Sequence, residues 1–440
     1  MGKKIPTSVS FNLPDGKEVT IETGKLATQA HGSVVVRIED TMILATIVSA
    51  YEPRENAAFF PLSVDYQEKY AAVGRIPGNF FRRETRLNDY EILISRLVDR
   101  AIRPLFPDGY MHDTQVILTL HSSDQRNLPD AYAALAASAA IVVSDINWNG
   151  PISEVRVAKI NGEYVVNPEK EALESAELEI IVAATMDNVM MVEGEANECQ
   201  EADLIEAIKV GHEAIKVQCK AQLELAQLVG EAATVKRVLP EAPSSDEAFA
   251  LVKEVTTDKI IAVAHGAMDK VTRKDALKAI KTELKEAAAE KGDEWMAEHG
   301  SFISAYFDKH KKATLREVVM SEKVRLDCRA TDQVRPIWTE VDYLPAAHGS
   351  AIFNRGETQA LASLTLGTKL DKKMEDTALA QTYEKFMLHY NFPALSVGEI
   401  KPMRGPGRRE VGHANLASRS LKKVLPDENP YTIRIVSDIL

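Results

Sequence analysis

At 440 residues, with 45% hydrophobic and 27% charged side chains, the chain has the composition of a globular protein of about two to four domains, which excludes disordered and collagen-like classes. Its 53 basic and 65 acidic side chains give a net charge of −12, so any site for a polyanion must be a local patch rather than the whole surface. The longest apolar stretch, about 131–143, includes Ser138 and is shorter than the about 20 residues that span a bilayer. The first ten residues carry no apolar signal core, and a cytoplasmic protein away from membranes is expected. Cys199, Cys219 and Cys328 are scattered and odd in number, which fits a reducing compartment and writes neither a disulfide framework nor a zinc site.

Along the chain, residues 33–47 are rich in Val, Ile and Thr and are interrupted at Glu39-Asp40-Thr41, which predicts a hairpin. Asn88 and Glu91 have the spacing of a capping box and predict a helix from there towards Arg103. A strand is expected at 115–120, a small-residue helix at 129–143 and a hairpin over 155–166 around Asn161-Gly162. A further strand pattern runs from Ile180 to Val192, and a long helix from Leu204 to Leu228. From about 241 to 323, Ala, Lys and Glu recur in helical phase, and Pro240, Pro243, Ser244 and Ser245 mark the start of this all-helical segment.

The chain also repeats itself. Ala30-His-Gly-Ser33 returns as Ala347-His-Gly-Ser350, an offset of 317 residues, and Leu44-Ala45 returns as Leu361-Ala362 at the same offset. Phe80-Phe-Arg-Arg-Glu84 faces Pro406-Gly-Arg-Arg-Glu410, and Leu93-Ile-Ser-Arg96 faces Leu416-Ala-Ser-Arg419. One α+β unit used twice is expected, with boundaries at 1–235, 236–323 for the helical domain, and 324–440 for the second copy. The second copy has far less chain after its motif than the first uses, and ends in a strand pattern; a truncated second copy is the expectation.

Three stretches could carry chemistry. Phe80-Phe-Arg-Arg83 places two aromatics beside two guanidinium groups, the pairing used to stack bases and neutralise phosphates, although buried rings and solvated arginines would give the same string. Arg96, Arg100 and Arg103 share one helical face, either lining an anion site or forming surface pairs with Asp99. Residues 401–423 hold seven basic side chains and one acidic, and within them Gly405-Pro-Gly-Arg-Arg-Glu-Val-Gly-His413 combines glycines, adjacent arginines and a histidine suited to phosphate. His31 and His348 are assigned to packing at a turn. HExxH, GxSxG and GxGxxG are all missing, so metalloprotease, α/β-hydrolase and dinucleotide dehydrogenase readings lack their signatures.

The strings Gly74-Arg-Ile-Pro-Gly-Asn-Phe-Phe-Arg-Arg-Glu84, Leu97-Val-Asp-Arg-Ala-Ile-Arg-Pro-Leu-Phe-Pro107, His348-Gly-Ser-Ala-Ile-Phe-Asn-Arg-Gly-Glu-Thr-Gln-Ala360 and Arg408-Arg-Glu-Val-Gly-His413 together resemble the bacterial polynucleotide phosphorylases. The resemblance implies two ribonuclease PH-like cores of the ribosomal S5 domain 2-like fold, with an all-α domain between them, and a homotrimer around a channel for single-stranded RNA. It implies 3′→5′ phosphorolysis with inorganic phosphate as co-substrate, nucleoside diphosphates as product and Mg²⁺ as cofactor. It places Phe80, Phe81, Arg82, Arg83, Arg86, Arg96, Arg100 and Arg103 on RNA or phosphate, and Arg408, Arg409 and His413 at the catalytic end of the RNA. The metal-binding aspartates and a serine-rich phosphate loop are expected beyond residue 440, so no metal ligand is expected within 1–440, and the 440 residues alone are expected to be inactive. RNA helicase and endoribonuclease partners belong to the same implication. The rival readings are a non-catalytic RNA-binding ring subunit of an exosome-like assembly and a hydrolytic nuclease.

Overall fold

The computed structural model describes residues 5–54, 57, 59–239, 244–426 and 428–440. Pro240 and Pro243, read as the start of the helical segment, lie outside these residues. The first copy opens with a six-stranded sheet built from β1 (Thr7–Asn12), β2 (Glu18–Thr23), β3 (Gly32–Ile38), β4 (Thr41–Pro53), β5 (Leu62–Glu68) and β6 (His112–Ser122), in the order β1-β2-β3-β4-β6-β5. β5 runs parallel to β6 and every other neighbour is antiparallel. The parallel pair needs a crossover, supplied by α1 (Asp89–Ile102). Asn88 Oδ1 accepts from Glu91 N at 2.8 Å and Glu91 Oε2 accepts from Asn88 N at 2.8 Å, so the capping box starts the helix where the sequence places it.

The small-residue helix begins later than expected: Pro129–Tyr132 form a tight 3₁₀ turn, and α2 (Ala133–Val142) follows. Every residue of α2 is buried, because a helix of Ala, Leu, Ile and Val whose one polar side chain, Ser138, is satisfied by Gln222 and Ile152 N can only be a core element. Its alanines let it approach β3 so closely that a Cβ on Gly32 would lie 1.9 Å from the Ala140 carbonyl oxygen. A second sheet contains β7 (Ser153–Ile160), β8 (Glu163–Val166), β9 (Ala176–Ala184) and β10 (Val189–Ala196) in the order β10-β9-β7-β8, packed against α3 (Glu201–Val229), which is followed by the short α4 (Glu231–Thr234). Asn161 (φ 50°) and Gly162 (φ 82°) make the β7–β8 turn. The single strand pattern read over Ile180–Val192 is a correction: it is two strands, because Thr185 N donates to Asn188 O at 2.9 Å and closes a turn between β9 and β10.

The chain divides into two compact units, one of residues 240–339 and 354–357, the other of the remainder. The smaller contains α5 (Asp246–His265), α6 (Lys270–Ala289) and α7 (Asp293–Glu322), packed around Leu251, Ile260, Leu284, Ile303 and Phe307. The second copy follows as β11 (Ile337–Val341), β12 (Gly349–Arg355), β13 (Thr358–Gly367), the small hairpin β14 (Lys373–Asp376) and β15 (Gln381–Glu384), β16 (Phe386–Asn391), α8 (Arg408–Lys422) and β17 (Thr432–Ile439). Its sheet order, β11-β12-β13-β17-β16, repeats β2-β3-β4-β6-β5, with β16 parallel to β17 as β5 is to β6.

The repetition extends to single bonds. His31 Nδ1 accepts from Ser49 N at 3.0 Å, and His348 Nδ1 accepts from Leu366 N at 2.9 Å, both partners displaced by the same 317 residues. One block of the sequence match does not survive: Arg82–Glu84 lie in the loop ahead of α1, whereas Arg408–Glu410 form the first turn of α8. The β1–β2 hairpin, β5 and the β14–β15 hairpin are elements that the sequence reading did not predict.

Candidate nucleic-acid interface

The Phe80-Phe81 loop is fixed at its base and free at its tip. Arg75 Nη2 donates to Asp376 Oδ1 at 2.8 Å, Tyr70 OH donates to Asp376 O at 2.7 Å, and Arg75 Nη1 donates to Thr377 O at 2.9 Å, so the hairpin of the second copy holds the loop of the first. Asn79 ties the tip by accepting from Arg83 N at 3.4 Å and donating to Arg83 O at 2.9 Å. Phe80 is 93% and Phe81 74% exposed, with ring centroids 5.4 Å apart, edge to face. Two such rings in water bury nothing in the fold and present two faces to a stacking partner. Arg82 takes a left-handed backbone (φ 50°) and donates to the carbonyls of Pro77 and Gly78 at 3.2 Å, shaping the loop rather than reaching outward. Arg83 and Arg86 are exposed.

The arginine row of α1 separates into three different situations. Arg103 is a tie of the fold: it grips Asp99 at 2.7 and 3.0 Å and donates to the carbonyls of Phe60 and Leu62 at 2.9 and 3.1 Å. Those contacts engage Nε and both terminal nitrogens, so Arg103 braces the fold while its side chain stays partly exposed. Arg100 pairs with Glu193, whose other oxygen pairs with Arg419 of α8. Arg96 lies against α8, where a Cβ on Gly412 would be 2.4 Å from its Nε, so glycine at 412 is the condition for that approach.

α8 brings its own residues to the same crossing. Arg408 donates to Val64 O at 2.8 Å and pairs with Asp65, which anchors the first turn of α8 on β5. Arg409 is exposed, and neither it nor Arg96 has an acidic partner within ion-pair distance among the described residues. His413 stacks edge-on against Tyr390 at 5.2 Å. Burial lowers its pKa below the usual histidine value, helped by the charges of Arg409 and Arg96 and opposed by Glu410. Burial likewise lowers the pKa of Arg96, with Arg100 and Arg409 adding to it. Glu193 and Asp99 oppose the shift of Arg96 without reaching ion-pair distance, so two guanidinium groups and a histidine share one field along the first two turns of α8, where the helix dipole also favours an anion. On the other face of α8 a cleft of about 760 Å³ is lined by Asn88, Lys373, Tyr390, Glu410 and Asn415 among others.

No group of three or more His, Cys, Asp or Glu side chains placed to hold a metal ion occurs among the described residues. Asp65, Glu193 and Asp376 are the residues of the site that sequence reasoning missed. Each acts on a partner more than 90 residues away in the chain, a pairing that no local spacing announces.

Residues 15–147 and 333–440 match the sequence model described as 3′ exoribonuclease family, domain 1, and residues 150–214 match domain 2 of the same family. The chain belongs to the 3′ exoribonuclease family. Its helical segment, 248–330, matches the RNA binding domain of polyribonucleotide nucleotidyltransferase. Among its relatives named polyribonucleotide nucleotidyltransferase, that of Bacteroides fragilis is 52% identical over 436 residues, covering 99% of this chain and 61% of the relative. Those of Cytophaga hutchinsonii and Porphyromonas gingivalis are 53% and 50% identical, covering 98% of this chain and 60% and 58% of theirs. The chain thus spans about three fifths of the length of these relatives. No helix among the described residues is long and apolar enough to cross a membrane.

Proposed function

We propose that these 440 residues are the RNA-receiving part of a polyribonucleotide nucleotidyltransferase, which degrades single-stranded RNA from its 3′ end with inorganic phosphate and releases nucleoside diphosphates. The observation that carries this reading is the packing of Arg96 against Gly412 of α8, which puts it with Arg409 and His413 along the first two turns of that helix, in a fold whose relatives bear that name. In phosphorolysis both the attacking phosphate and the phosphodiester are anionic, so charge repulsion dominates the barrier and unpaired cations are the means to offset it. Arg409 and His413 hold the terminal phosphates of the RNA, and Arg408, held by Asp65, keeps that turn in register while its remaining donors face the same anions. Phe80 and Phe81 stack bases upstream, and Arg83, Arg86 and Arg100 attract the backbone.

Mg²⁺ belongs to this reaction as the ion that neutralises developing charge. Its ligands are assigned to the part of the protein beyond these residues. A homotrimer, a cytoplasmic place, and helicase and endoribonuclease partners complete the reading. The test is kinetic. The purified 440-residue chain binds single-stranded RNA and releases no nucleoside diphosphate when phosphate is supplied, while the full-length protein releases it. Changing Arg408 and Arg409 together to alanine in the full-length protein lowers turnover at least about tenfold, or about 1.4 kcal/mol; a smaller loss contradicts their role.

A further inference from the structure

The charges of α6 are sorted by face. Lys270, Lys274, Lys278, Lys281 and Lys285 fall within about 80° of arc and run about 22 Å along the helix, while Asp275, Glu283 and Glu286 lie outside that arc. The acidic side is engaged by α5, where Lys259 pairs with Glu283. On the basic side only Lys281 is neutralised, sharing Asp308 with Lys311 at 3.0 and 2.7 Å, both ammonium groups lying over the buried ring of Phe307. Lys270, Lys274, Lys278 and Lys285 are exposed and have no acidic partner within ion-pair distance among the described residues. A helix stabilised only by its own surface would interleave signs at three- and four-residue spacing, because like charges there repel. Four unpaired lysines in one row accept that repulsion, which is relieved when a polyanion lies along them.

We infer that this lysine row is a binding surface for the sugar–phosphate backbone of single-stranded RNA, separate in chemistry from the Phe80-Phe81 loop. Lys270, Lys274 and Lys278 are about 6 Å apart along the helix and Lys285 lies about 10 Å further on, spacings that a flexible strand with one charge per nucleotide can follow. No exposed aromatic lies in the row, and Phe307 is covered, so the surface holds backbone and does not stack bases. Its contribution is therefore indifferent to sequence and steep in salt. The inference rests on the proposed RNA function and adds where, and by which chemistry, the helical unit takes part.

The test uses the 440-residue chain, labelled 30-nucleotide oligo(A) and oligo(U), and fluorescence anisotropy between 50 and 200 mM salt. Replacing Lys270, Lys274, Lys278 and Lys285 by glutamine keeps helix propensity, and circular dichroism checks the fold. The expected result is binding at least about tenfold weaker at 50 mM salt, equally for both sequences, with the slope of log affinity against log salt reduced by about 2–3. The four-arginine variant retains binding. Unchanged affinity and slope in the glutamine variant overturn the inference, as does a loss that is independent of salt. A companion Phe80→Ala/Phe81→Ala variant separates the two levels: if it weakens binding while the lysine variant does not, the row falls and the RNA reading stands. If the unaltered chain binds neither oligonucleotide, the RNA reading falls with it.

Discussion

The hairpins β3–β4 and β12–β13 share sheet position, strand order and the histidine-to-amide bond, yet they sit in different surroundings. In the first copy, six of the seven residues of β3 are buried, and α2 lies across the sheet. In the second, β12 and β13 are mostly half-exposed, and Phe353 remains 45% exposed. The difference separates two causes that usually act together. Strand order and the histidine-to-amide bond follow from the local residues and the turn, and recur in both copies. Burial follows from the layer laid over the sheet, which α2 supplies to the first copy.

The sharpest way to break this comparison is at its twin glycines. A Cβ on Gly32 meets the Ala140 carbonyl at 1.9 Å, and backbone cannot swing aside, whereas on Gly349 it meets only the Leu364 side chain at 3.2 Å. Gly32→Ala is expected to destabilise by at least about 3 kcal/mol and Gly349→Ala by less than about 1 kcal/mol, read from urea midpoints followed by circular dichroism. Equal costs at the two positions would mean that α2 is not the layer that distinguishes the copies.

How much the sequence disclosed follows the same division. The β3–β4 turn, the Asn88–Glu91 capping box and the Asn161-Gly162 turn were legible because each is written in a few adjacent residues with one favoured backbone. β5 is short and carries Asp65, Gln67 and Glu68, and two of its backbone amides are satisfied by α1 side chains rather than by a strand: Ser95 Oγ accepts from Tyr66 N at 2.9 Å, and Glu91 Oε1 accepts from Glu68 N at 2.7 Å. The candidate site divides likewise. Phe80, Phe81, Arg409 and His413 announced themselves by residue type, but that Arg103 belongs to Asp99 and the Phe60 and Leu62 carbonyls while Arg96 stays unpaired is a fact of packing that helical spacing alone leaves open.

A second feature of the first copy is the buried carboxyl of Glu154 on β7. Its Oε1 accepts from Ala134 N at 2.9 Å, its Oε2 has no partner, and burial pushes its pKa up to about 8. A carboxyl whose folded pKa is raised favours the folded state below its unfolded value of 4.5, and that stability is lost as pH rises through the folded value. Glu154→Gln is therefore expected to be more stable than the parent chain by at least about 1 kcal/mol at pH 8 and to match it within about 0.5 kcal/mol at pH 5, because the amide carries no charge to bury. Parallel stability curves for the two proteins across that range would place the titrating group elsewhere.

The smallest expected effect tests the feature the copies share most closely. His31 and His348 each accept one backbone N–H, but His31 stands edge-on to Tyr51 at 5.2 Å in a half-buried corner, while His348 and its bond are exposed. Removing His31 strands the Ser49 amide away from water, and removing His348 leaves the Leu366 amide free to find solvent. The expected costs for alanine are about 1–2 kcal/mol at position 31 and a few tenths at position 348. Acceptance also requires an unprotonated Nδ1, and burial, aided by the charge of Arg237, lowers the pKa of His31 below 6.5. A histidine with a depressed folded pKa contributes its full stability above the unfolded value and loses it as pH falls through the folded one. The gap between the parent chain and His31→Ala should then narrow from pH 7 to pH 5 in urea titrations. A gap that widens on acidification would mean that the ring donates to a carbonyl in its charged form, and that the bond shared by the two copies is not the one that holds β4 in place.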